Sequence, residues 1–135
     1  MKKEKIRALQ IEPMMPPKIF YIEPSMKAFR KAVDANKIKY GGVEAKKLEK
    51  NIYAIFNKDR FLANLEANRR IGDDIIAGTM YIVAINDKRF PISLTEEQAS
   101  RYALRFWNIE TFEDIDVAEA NLNTLFSRFL IDEEL

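Results

Sequence analysis

The chain of 135 residues reads as an α+β domain: a small antiparallel sheet of about five to six strands, one helix after the first hairpin and two C-terminal helices. Three observations carry this reading. Short β-prone segments crowd the chain before residue 93, all four glycines fall between residues 41 and 78 where they punctuate turns, and after residue 93 the apolar spacing becomes helical.

Residues 5–12 alternate with Ile6, Ala8 and either Leu9 or Ile11 turned inward, which predicts a first strand containing a slip or bulge. Pro13, Pro16 and Pro17 end it, because proline has no amide hydrogen for a ladder. Lys18 to Ile22 is the return strand of a hairpin. Pro24 and Ser25 then supply helix-start chemistry, and Met26, Phe29, Ala32 and Val33 recur at helical spacing, predicting a helix over 25–35.

Gly41 and Gly42 precede Val43 to Leu48, and a turn leads on to the β-prone run Asn51 to Phe56, so the middle of the chain is expected to form a meander. Phe61 to Arg70 reads as irregular, with a short apolar face at Leu62 and Leu65. Gly72-Asp73-Asp74 turns into Ile75 to Ile85, the most apolar stretch and the expected central strand, and Arg89 to Ile92 returns at an edge that tolerates Pro91.

Ser93 with Glu96, or Thr95 with Gln98, forms a capping box, so a helix is expected from about residue 95 to Trp107-Asn108, with Ala99, Tyr102, Ala103 and Phe106 inward. Ile115, Ala118, Leu122, either Leu125 or Phe126, and Phe129 trace a stripe for a final acidic helix over 112–130. The domain reading is a core over 1–110 and an acidic amphipathic segment over 111–135 that packs on it or contacts another copy.

The sequence contains neither histidine nor cysteine. That excludes His- and Cys-dependent nucleophilic catalysis, His or Cys zinc sites, thiol redox chemistry and disulfides. No apolar run approaches the roughly 18 residues of a membrane span. The basic start at Lys2, Lys3 and Lys5 leads into a strand instead of a signal core, so an intracellular, cytoplasmic protein is expected.

Net charge is +1, without the global field of a nucleic-acid binder or the strong acidity of a DNA mimic. Its distribution is polar: residues 1–50 carry +7, residues 51–110 balance, and residues 111–135 carry −6. Such complementary ends can attract within one chain or between neighbouring copies, which would make a homo-oligomer, and the bland alternative, the favoured one, is that both are solvated faces. Nucleic acid is not an expected partner, although Tyr53, Phe56 and Tyr81 are aromatics of the type that stack on bases.

The densest polar group comprises Asn57, Asp59, Arg60, Asn64, Glu66, Asn68, Arg69 and Arg70, followed by Asp73, Asp74 and Thr79. Guanidinium forks and amides suit phosphate, carboxylate or base edges, and Gly78-Thr79 inside a strand would let a ligand approach the backbone. The candidate ligand-binding residues are Asn57, Arg60, Asn68, Arg69, Arg70, Gly78 and Thr79. The bland alternative pairs Arg69 or Arg70 with Asp73 or Asp74, closes turns with Asn57 and Asn68, and makes Gly78 a bulge. No catalytic residue, metal site or cofactor is expected: Asp73-Asp74 and Glu96-Glu97 are sequence neighbours that do not converge, and no phosphate-loop spacing is present.

Three stretches together, Asn57 to Arg69, Gly72-Asp73-Asp74-Ile75-Ile76-Ala77-Gly78-Thr79 to Val83, and Ser93-Leu94-Thr95-Glu96-Glu97-Gln98 with Tyr102, resemble the domain-of-unknown-function family numbered three-eight-four-six. Arg60, the short gap from Arg69 to Gly72 and the acidic last segment depart from its usual pattern. The resemblance implies a setting in phages, plasmids and other mobile elements of Gram-positive bacteria, where small accessory proteins act in counter-defence. By that analogy the expectation is a non-enzymatic, homo-oligomeric protein that sequesters a small anionic nucleotide signal. The alternatives are an interaction module that inhibits a host defence protein, and a carboxylate enzyme using Mg²⁺.

Overall fold

A computed structural model describes residues 4–33, 42–60, 65–113 and Leu122. The fold is α+β, built on an antiparallel sheet of six strands. In chain order the elements are β1 (Ile6–Ile11), β2 (Lys18–Ile22), α1 (Met26–Ala32), β3 (Val43–Glu49), β4 (Ile52–Asn57), β5 (Ala67–Ile71), β6 (Asp74–Ala77), β7 (Met80–Ile85), β8 (Pro91–Ile92) and α2 (Glu96–Arg105). The main sheet runs β2-β1-β7-β4-β3, with β8 also on β7, while β5 and β6 form a separate two-stranded ribbon.

The centre is β7. Ile82 pairs with Ala54 on one side and Leu9 on the other, and Ala84 pairs with Ile52 and Ile92, so β1 and β8 share one edge of β7 end to end. Because side chains alternate across a strand, these registers split the core in two. Leu9, Ile11, Ile52, Ala54, Phe56, Met80, Ile82 and Ala84 face Ile71 and Ile76 of the ribbon and Ala99, Tyr102 and Phe106 of the α2 segment. On the opposite face Ile6, Ala8, Ile22, Ile55, Tyr81 and Val83 meet Phe29 and Val33 of the α1 segment.

Two buried faces explain the first departure from the sequence reading. Ile6 and Ala8 point one way and Leu9 and Ile11 the other, and the ladder from Ile6↔Ile22 to Gln10↔Lys18 is uninterrupted, so β1 has no bulge. A second departure lies in the apolar run Ile75 to Ile85. Gly78, at φ +78°, ends β6 before β7 begins, so the run is divided between ribbon and sheet and Gly78-Thr79 is a connector instead of strand interior. The part of the supposedly irregular segment from Ala67 onward is strand β5, whose pattern is disguised by its buried polar pair Asn68 and Arg69.

Helix α1 is shorter than the span 25–35: Ser25 caps it by accepting from the Ala28 amide at 3.2 Å, and Val33 is its C-cap. At α2 the Thr95/Gln98 register is used, with the Thr95 hydroxyl accepting from the Gln98 amide and Gln98 Oε1 accepting from the Thr95 amide. The expected final helix over 112–130 lies outside the described residues apart from 112–113 and Leu122. Among the described residues, no helix is long and apolar enough to cross a membrane.

Candidate functional site

The polar cluster divides into two groups. Asn57 and Arg60 lie at the end of β4. The Asn57 side chain donates to the Val33 carbonyl at 3.1 Å and accepts from the Asp59 amide at 2.8 Å, tying the α1 segment to a turn. Arg60 donates from Nε to the Ile75 carbonyl at 3.2 Å, lies over the Phe56 ring and approaches Glu44 at 3.7 Å.

Asn68, Arg69 and Gly78 form the second group. Asn68 donates from Nδ2 to the carbonyls of Ile11 at 2.7 Å and Gly78 at 2.9 Å. Arg69 donates from Nε to Phe106 O at 3.1 Å, from Nη1 to Asn68 Oδ1 at 2.9 Å and from Nη2 to Met15 O at 2.7 Å. The guanidinium fork thus joins β5, the β1–β2 connection and the end of α2, and Arg69 is only 1% exposed. Burial lowers its pKa from the ordinary 12.5, while the charge of Glu110 opposes the shift.

A Cβ on Gly78 would meet Leu65 Cδ1 at 2.7 Å, so the space expected for a ligand holds a leucine side chain. Thr79 is half-buried in the connector. Arg70 points away from Arg69 across the strand: it is exposed, its amide donates to Glu110 Oε2 at 2.6 Å, and its guanidinium lies over Phe112. The polar atoms of Asn57, Asn68 and Arg69 are therefore engaged by the chain itself, and neither Arg69 nor Arg70 pairs with Asp73 or Asp74.

A different place carries accessible cationic groups. Between α1 and the β2 side of the sheet lies a groove of about 690 Å³, within the size range of small-ligand sites. Phe20 and Tyr81 line it, their rings edge to face with centroids 5.4 Å apart, and Gln10 Nε2 donates to the Tyr81 hydroxyl at 2.8 Å. Lys5, Lys27 and Lys31 stand around it with one carboxylate, Glu23. All three lysines are exposed, and no described carboxylate pairs with them. Lys27 and Lys31 share a helix face because they are four residues apart. The sequence reading missed this group, although the +7 surplus of residues 1–50 and the Lys27/Lys31 spacing are its signals.

Among the described residues, no group of three or more potential metal ligands is assembled. A family model, described as a domain of unknown function (DUF3846), matches residues 6–106. No curated protein and no solved structure matches the chain.

Proposed function

We propose a non-enzymatic binding role for this chain, which belongs to the domain-of-unknown-function family DUF3846 across residues 6–106: it captures a small anionic ligand of the nucleotide class, as a homo-oligomer, in the service of a phage or other mobile element. The observation that carries the ligand part is the α1–β2 groove, where Lys5, Lys27 and Lys31 surround the Phe20 and Tyr81 rings. Ammonium groups attract phosphate, and the half-buried Phe20 ring, braced edge to face by the buried Tyr81, offers apolar surface to a base. Sequestration as counter-defence follows from the expected mobile-element setting and needs no bond to be broken.

The test is calorimetric titration of the purified protein with cyclic nucleotides and ADP-ribose derivatives. Micromolar binding is expected, weakening about tenfold in a Lys27→Glu/Lys31→Glu variant, the equivalent of about 1.4 kcal/mol. It should also weaken with added salt because both lysines are exposed. Absence of micromolar binding across the panel would sink the ligand reading, and recovery of a chemically altered ligand after heat denaturation would sink the non-enzymatic one.

A second reading, an interaction module that inhibits a host defence protein, is favoured by the exposed Leu104, Trp107 and Ile109 at and just beyond the end of α2. It predicts a stoichiometric host protein on co-purification, lost in a Trp107→Ala variant.

A further inference from the structure

The sheet has two outer edges among the described residues, and they are built differently. The β3 edge is guarded: it carries Glu44, Lys46, Lys47 and Glu49, and its register shifts between Lys47 and Glu49. Charges and irregular register are the usual defences against pairing with another strand. The β2 edge carries a single charge, Lys18 at its first position, ion-paired with Glu12 at 3.2 Å, and no shift of register. Its sequence is Lys18-Ile19-Phe20-Tyr21-Ile22, its register with β1 is regular, and Ile19 and Tyr21 stand 45% and 55% exposed on one face.

We infer that the β2 edge is the seam of a homodimer in which β2 pairs antiparallel with β2 of a second copy. This rests on the homo-oligomeric part of the reading above and not on its ligand. A two-fold axis normal to the sheet makes the two edge strands antiparallel and keeps like faces aligned. Centred on Phe20, the middle of the strand, it uses all five residues. Ile19 then faces Tyr21 of the partner subunit, a β-branched and aromatic pair repeated by symmetry.

On the other face Lys18 of the partner subunit comes opposite Ile22. Ile22 lines the lysine groove together with Phe20, so the second copy brings a further ammonium group to its rim. The seam also removes this edge from solvent, a reason for the exposed Ile19 and Tyr21 that packing within one copy does not supply.

Light scattering and sedimentation of the ligand-free protein test the seam alone. The wild-type chain should have twice the 15.8 kDa mass of one copy. An Ile19→Lys/Tyr21→Lys variant sets like charges opposite each other and should be monomeric, with an unchanged circular dichroism spectrum because both positions are exposed. An Ile19→Lys/Tyr21→Glu variant sets opposite charges in the same register and should remain dimeric.

A wild-type monomer at 100 μM protein, about the upper range for a specific dimer, would overturn the proposal. Equal masses for both variants would overturn it too: both dimeric or larger places the oligomer contact elsewhere, and both monomeric refutes the register. Nucleotide titration reads the groove separately, so the seam and the ligand can fail independently.

Discussion

Arg69 donates from Nε to the carbonyl of Phe106, the C-cap of α2, at 3.1 Å, so a buried cation of the ribbon closes a helix end 37 residues further on. This relationship uses both helix-end electrostatics and unsatisfied carbonyls, since a cation is favourable where the last turn leaves acceptors without donors. Replacing Arg69 by alanine should destabilise the fold by about 3 kcal/mol or more, because each buried acceptor left without its donor costs about 1–3 kcal/mol. Arg69→Lys should recover less than half of that loss, since one ammonium cannot reach Phe106, Asn68 and Met15 in the fork geometry of a guanidinium. Urea denaturation measures both, and a loss under about 1 kcal/mol for Arg69→Ala would show that the knot does not brace the fold.

Gly78 and Leu65 form a second relationship that double substitution can resolve. Gly78→Ala introduces a side chain at φ +78° and sets its Cβ 2.7 Å from Leu65 Cδ1. The backbone part should cost about 1–2 kcal/mol, and the contact adds to it. In a Leu65→Ala background the contact disappears, so the second Gly78→Ala penalty should be smaller but still positive. Thermal unfolding of the four proteins gives the coupling directly, and strict additivity would remove Leu65 from the explanation.

The Tyr102 hydroxyl donates to Glu49 Oε1 at 2.7 Å. Burial, reinforced by this hydrogen bond and the Glu49 charge, pushes its pKa up to about 12 from 10.0. The folded state therefore holds the phenolic proton more tightly than the unfolded state. The associated stability is present below pH 10 and is lost as pH rises from 10 towards 12. Tyr102→Phe should lose about 0.5–1.5 kcal/mol near neutral pH and show a shallower decline in stability across that alkaline window. An identical alkaline decline in wild type and variant would assign it to other groups.

Thr95 and Gln98 offer a smaller test. The reciprocal bonds at α2 predict a loss of about 1 kcal/mol for Thr95→Ala, measured as a lower denaturation midpoint. Ser93, the other candidate cap, instead accepts from the Arg7 amide through Oγ at 3.0 Å, which ties α2's lead-in to β1. Ser93→Ala should therefore leave α2's helical signal unchanged while loosening that junction, seen as faster exchange of the Arg7 amide.

Much of this architecture was legible in local patterns. Ser25, the prolines after Ile11, the Gly72 turn, and the Ala99, Tyr102 and Phe106 spacing each locate an element, because caps, turns and helical periods depend on neighbours within a few residues. Family membership was legible in the same way, through the runs around Asn68, Gly78 and Thr95. β5 was not, since period-two patterning assumes that inward residues are apolar, whereas Asn68 and Arg69 are buried there and satisfied by hydrogen bonds.

The sequence by itself determined the α+β class, most element positions, the freedom from histidine and cysteine, and the uneven charge along the chain. Only the tertiary structure decided what the Asn and Arg cluster touches. Its partners Ile11, Met15 and Phe106 lie 57, 54 and 37 residues away, and whether a guanidinium faces solvent or a ring of carbonyls depends on contacts that no local pattern encodes. Folding likewise gathered Lys5, Lys27 and Lys31 along one groove with Phe20 and Tyr81, separating exposed cations from the buried ones that hold the chain together.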